Sequence, residues 1–91
     1  MPLAIIHHKV RDFAVWKSAF DEHASTQTAA GMTNGRVFQS ADDPNAVTIL
    51  FDVADIARAK EFVGSADLKS AMEGAGVVSA PSFHYLEGPA S

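Results

Sequence analysis

The chain contains four histidines and no cysteine, so any acid–base work near neutral pH falls to imidazole. His7 and His8 stand side by side at the end of an apolar run, His23 follows in the next stretch, and His84 adjoins Tyr85 near the C-terminus. A neutral imidazole within reach of a phenol or enol can take its proton as a general base, or simply hold it by a hydrogen bond. Neighbouring residues of a strand point to opposite faces, so His7 and His8 cannot both line one pocket. The row Leu3, Ile5, His7, Lys9 turns polar toward its end, whereas Ala4, Ile6, His8, Val10 is apolar apart from its histidine. His8 is therefore the histidine expected to be enclosed, and it is the candidate catalytic base. The competing reading is a buried histidine satisfied by a backbone group, which is the ordinary fate of buried polar side chains.

Four further residues are candidate ligand contacts. His23 lies at the edge of a helical stripe, where the alternative role is a boundary residue covering the core. A Tyr85 hydroxyl beside a cavity can donate to a ligand carbonyl, and His84 alternates with it; packing is the more common duty of such a tyrosine. Arg36 can meet an anionic ligand group or form a surface ion pair with one of the eleven acids. Trp16 and Phe20 read as core anchors. A metal site needs three or four converging ligands, and without cysteine or HxH or HExxH spacing none is expected. The sequence also lacks GxSxG, P-loop and GxGxxG patterns, so no cofactor is expected.

These residues must be positioned by short elements. Leu3 to Val10 is a strand bounded by Pro2 and Asp12, and Asp12 can cap a helix that runs to about Ala30. Phe13, Trp16, Phe20, His23, Ala24 and Gln27 form its stripe, and Gly31 closes it. Asn34-Gly35 reads as a bulge or tight turn before a second strand, Arg36 to Ser40. Asp43-Pro44-Asn45 is a turn, and the third strand is Ala46 to Val53. Asp55 caps a helix with Ile56, Ala59 and Val63 inward. Gly64-Ser65 breaks it, Ser65 caps a short helix through Met72, and Gly74 and Gly76 end that. The last strand spans Val77 to about Glu87, and Pro81 within it demands an edge position. The order β-α-β-β-α-β with right-handed crossovers predicts an α+β, ferredoxin-like four-stranded antiparallel sheet, with helices on one face and the first and third strands central.

Ninety-one residues make a single domain, expected over residues 1–88 with a flexible tail at 89–91. Helices on one side leave the other face of the sheet uncovered, and neither row of strands one or three is polar enough to meet water along its length. With 47% hydrophobic residues, this predicts a homodimer in which two sheets meet face to face. The net charge of -4 with scattered basic residues argues against a nucleic-acid partner. No signal peptide or membrane span is expected, and the missing cysteines fit a cytoplasmic protein.

The run from His8 to Asp21, HKVRDFAVWKSAFD, resembles the opening of the small dimeric α+β barrel proteins, relatives of the antibiotic-biosynthesis monooxygenase and polyketide-cyclase-like group. The turn Asp42-Asp43-Pro44-Asn45 and the entry Ala75-Gly76-Val77 to the last strand are similar to the same proteins. The resemblance implies two sheets packed around a barrel-like cavity. Such proteins include cofactor-free oxygenases, isomerases and haem enzymes. The haem-degrading relatives place a ligating histidine on the later helix, and Ile56 to Met72 contains none. Three functions follow as expectations. The first is a homodimeric protein binding a small apolar or aromatic ligand. The second is a cofactor-independent monooxygenase, cyclase or isomerase acting on an aromatic polyketide-like or quinol substrate. The third is an interaction module with a filled barrel. The volume of the interior and the histidines that border it separate them.

Overall fold

Asp12 turns a strand into a helix. Its extended backbone (φ -146°, ψ 116°) and carboxylate, which accepts from the Ala14 and Val15 N–H groups at 3.0 and 3.3 Å, start the first turn. Asn45 Oδ1, from a distant turn, accepts a third free N–H, that of Phe13, at 3.1 Å. In the computed structural model, which describes residues 2–88, the order is β1 (Leu3–Lys9), α1 (Phe13–Glu22), α2 (Ala24–Ala29), β2 (Met32–Gln39), β3 (Ala46–Val53), α3 (Ile56–Val63), α4 (Ala66–Gly74) and β4 (Ser82–Leu86). Asp55 and Ser65 cap α3 and α4 with their side-chain oxygens, as their residue types require. The tail expected at 89–91 lies outside the described residues.

The sheet order is β2-β3-β1-β4, antiparallel throughout, so β1 and β3 are central and the α+β ferredoxin-like topology is the one the element order dictates. One row of each strand faces the helices: Ala4, Ile6, His8 on β1 and Val47, Ile49, Phe51, Val53 on β3 are all buried. Val10, Trp16, Met32 and Ala59 complete the core. The opposite, outer row carries half-buried Leu3, Ile5 and Leu50, with Phe38 53% and Leu86 44% exposed. These residues form a sheet face that no described element of the chain covers.

Three boundaries differ from the sequence reading. The helix expected to reach Ala30 breaks at His23, whose N–H is shared between the Ala19 and Phe20 carbonyls at 3.3 and 3.1 Å. The following α2 buries no residue. β2 begins at Met32 rather than Arg36, because the irregularity between Thr33 and Arg36, with Asn34 at φ 52°, bulges the strand instead of ending it. The last strand shrinks to Ser82–Leu86. Val77 makes only an isolated bridge to Val10, and Pro81 falls before the ladder it could not have joined. α4, like α2, buries no residue. Arg58 of α3 donates from its guanidinium to the Ala29 carbonyl at the end of α2.

Candidate functional site

The inner row of β1 delivers one polar side chain into the core. His8 is 7% exposed, the only buried polar side chain among the described residues. Its ring stands edge-on to Trp16, centroids 5.4 Å apart at 72°. α1 places Trp16 there and stacks it on Phe20 at 5.0 Å and 30°, and Phe20 reaches Phe51 of β3 at 5.9 Å. The aromatic stripe read as core anchors is thus also a wall. Beside it lies a cavity of about 80 Å³ between sheet and helices. Ile6, Ile49 and Phe83 form part of its floor, and Phe62, Leu68 and Met72 border it from α3 and α4.

The polar groups at this cavity are His8, His23 and Gln27. His23 sits at the α1–α2 corner and is exposed as a residue while bordering the space. His8 Nδ1 is fully buried and has no hydrogen-bond partner. Burial drives the His8 pKa below the ordinary imidazole value of 6.5; the residue's own backbone, near the ring but short of hydrogen-bond geometry, partly opposes this, and the neighbouring His7 adds to it. The ring is therefore neutral at neutral pH. A neutral imidazole carries one nitrogen lone pair, the form that can accept a proton or a hydrogen bond.

The structure brings His8 and His23 to one space and separates the other candidates from it. Tyr85 is on the inner row of β4, beside the cavity-lining Phe83, but does not line the cavity. Its hydroxyl is buried without a partner, burial raises its pKa, and the Lys60 ammonium lies 5.4 Å from its ring. His84 pairs in register with Ile5 on the outer face. Arg36 is on that face too, held at 2.9 Å by Asp52 and donating to the Asn34 carbonyl at 3.2 Å. The surface ion pair is thus the contact that Arg36 makes. Sequence reasoning missed Met32, Phe62, Leu68 and Met72 as cavity walls, because residues from different elements carry no shared spacing. It had one usable signal, a helix stripe ending in His23 and Gln27, more polar than a sealed core requires. No group of three or more His, Cys, Asp or Glu that could hold a metal occurs among the described residues. No described helix is long and apolar enough to cross a membrane.

Comparison with solved structures gives the same architecture. The chain is similar to a provisionally assigned antibiotic biosynthesis monooxygenase from Bordetella bronchiseptica, with a TM-score of 0.79, 17% identity and coverage of 96% of this chain and 95% of that one. A protein of the same provisional assignment from Caulobacter crescentus matches with a TM-score of 0.71 at 20% identity, over 96% of this chain and 88% of that one. SnoaB from Streptomyces nogalater, a cofactor-independent oxygenase, matches with a TM-score of 0.74 at 12% identity, over 99% of this chain and 94% of that one. At such identities the likeness is one of fold. These neighbours are the kind of protein the opening segment of the sequence resembles. No family model matches the chain, and no curated protein matches it.

Proposed function

We propose that this chain binds a small aromatic molecule in the cavity between sheet and helices, anchored by a hydrogen bond to His8, and that it does so as a homodimer of the α+β barrel type. The observation that carries the reading is the His8 Nδ1 atom, buried without a partner. Leaving such a group unsatisfied costs about 1–3 kcal/mol, and a ligand hydroxyl at that atom would remove the penalty. The cavity's 80 Å³ is small beside the roughly 300–1,000 Å³ of ordinary ligand sites. A single ring therefore fits the reading better than a fused polyketide, unless the covering helices move. His23 and Gln27 would meet the ligand's outer edge. An unfilled space beside an unpaired imidazole favours a ligand over a filled interaction module. The apolar outer face supports dimerisation, and the cysteine-free composition is compatible with a cytoplasmic setting.

Phenol and toluene, matched in shape and differing in one hydroxyl, test the anchor. Phenol should bind more tightly by calorimetry, and His8→Leu should erase the difference while toluene still binds. Equal binding of both by the wild type, or a preference that survives the substitution, refutes the assignment. Sedimentation showing only monomer at micromolar concentration would refute the dimer.

A second reading is supported by the neutral state of His8 and by the fold shared with a cofactor-independent oxygenase. In it, His8 takes the proton of a bound phenol or enol and leaves an electron-rich anion for oxidation by dioxygen. Oxygen uptake with a quinol, abolished in a His8→Ala protein that keeps its fold, would support it. Uptake unchanged by that substitution would reject it.

A further inference from the structure

Beyond the interior cavity, we propose that the outer face of the sheet carries a binding site for a small oxyanion, a carboxylate or phosphate group, at the C-terminal end of β1. The register assembles it. On one cross-strand row His7 stands between Ser82 of β4 and Thr48 of β3, and Lys9 follows two residues on, facing the same way. Ser40 and Ser79 close the end of a groove of about 420 Å³ lined by these side chains.

Its donors and acceptors are unbalanced in a particular direction. Ser79 Oγ already accepts the Lys9 N–H at 2.8 Å, and Ser40 Oγ accepts the Asp42 N–H at 3.2 Å. Each hydroxyl therefore keeps its O–H to donate. Thr48 Oγ1 and His7 Nδ1 are 2.8 Å apart; when Thr48 donates, His7 offers Nε2–H as a further donor. Lys9 adds an ammonium, and the ion pairs among the described residues, Lys17–Asp21 and Arg36–Asp52, do not include it. No Asp or Glu lines the groove, although the chain carries eleven acids and a net charge of -4. Asp42, whose N–H is on Ser40 Oγ, and Asp43, whose carboxylate accepts the Asn45 N–H at 2.9 Å, stand in the adjoining turn and do not line the groove. Hydroxyl, imidazole and ammonium donors around a recess without a carboxylate suit a group with several acceptor oxygens and negative charge. Phe38 of the uncovered face pairs with Thr48 on this same row, so a partner seated on that face would border the groove. The site is independent of His8 and stands or falls apart from it.

The test is a titration of the whole chain with inorganic phosphate, and separately with benzoate, followed by amide chemical shifts at constant ionic strength against chloride. Saturable shifts at Lys9, Ser40, Ser79 and Ser82 are expected. Whichever anion binds more tightly distinguishes a phosphate from a carboxylate ligand. Lys9→Met and Ser82→Ala should each weaken binding by about tenfold, the scale of one charge-assisted hydrogen bond. Lys69→Met, on α4, should leave it unchanged. Absence of saturation with both anions at millimolar concentration overturns the proposal. So does binding unaffected by either substitution, or a response confined to Leu3, Ile5 and Leu50.

Discussion

Gly35 offers the sharpest check on how the cavity is built. It lies in the β2 bulge with a backbone conformation open to any residue, so alanine meets no φ penalty there. A Cβ at this position would sit 2.9 Å from Phe51 Cε1 and 3.4 Å from Phe20 Cζ. Carbon atoms in ordinary contact are about 3.5–4.0 Å apart, so the Phe51 ring must retreat by roughly 0.6–1 Å. Phe51 is 2% exposed, and the free space bordering it is the cavity that both rings line. Overpacking of this size costs about 1–3 kcal/mol. Replacing glycine inside a strand returns about 0.5–1 kcal/mol. Gly35→Ala should therefore lose on the order of 1 kcal/mol, or about 4–8 °C in Tm for a domain of this length. It should also lose most of its affinity for phenol, because the ring takes space the ligand needs. Urea unfolding and calorimetry on the same protein measure the two effects. A Gly35→Ala protein that gains the strand benefit and binds phenol as before would refute the claim that the bulge sets the position of Phe51.

Three other outcomes are expected. Trp16→Ala removes a 3% exposed side chain that contacts His8, Phe13 and Phe20, and should cost about 3–5 kcal/mol in a urea titration followed by circular dichroism. Because Trp16 is the sole tryptophan, wild-type fluorescence should respond directly when the cavity fills. The His8 pKa is lowered from 6.5 in the folded chain. Below pH 6.5 the unfolded chain therefore binds a proton that the folded one resists. This group's contribution to stability is complete above 6.5 and drains as pH falls toward the folded value; Tm measured against pH should show that slope in the wild type and lose it in His8→Leu. Asp12→Ala strips the acceptor from two helix N–H groups and should cost about 0.5–2 kcal/mol, while Asp12→Asn, which can still cap, should cost less by the same assay.

What the sequence made legible was local. The caps at Asp12, Asp55 and Ser65 depend on one side chain and the N–H groups just after it, so residue type announces them. The opposite destinations of His7 and His8 follow from the pleat alone. The break at His23 was not legible, because Ala24 to Ala29 keeps a plausible stripe and nothing in its residue types marks where the helix axis turns. The early start of β2 was hidden for a related reason. A bulge at Asn34-Gly35 and a turn there look alike until the pairing of Met32 with Val53 is known. The site divides in the same way. His8 could be picked from its row, but Phe62, Leu68, Met72 and Met32 meet only through tertiary packing, and the separation of Arg36 and His84 from them needed the register.

The two helices that bury no residue, α2 and α4, have a consequence for traffic in and out of the interior. Residues of the floor belong to strands whose release would require dismantling the sheet, whereas the roof segments can detach at a small fraction of the global unfolding free energy. Amide hydrogen exchange should accordingly be fastest along Ala24–Ala29 and Ala66–Gly74 and slowest along β1 and β3. A ligand bound as proposed would have these segments as its route, and their lifting would relax the size limit that the cavity volume sets at rest.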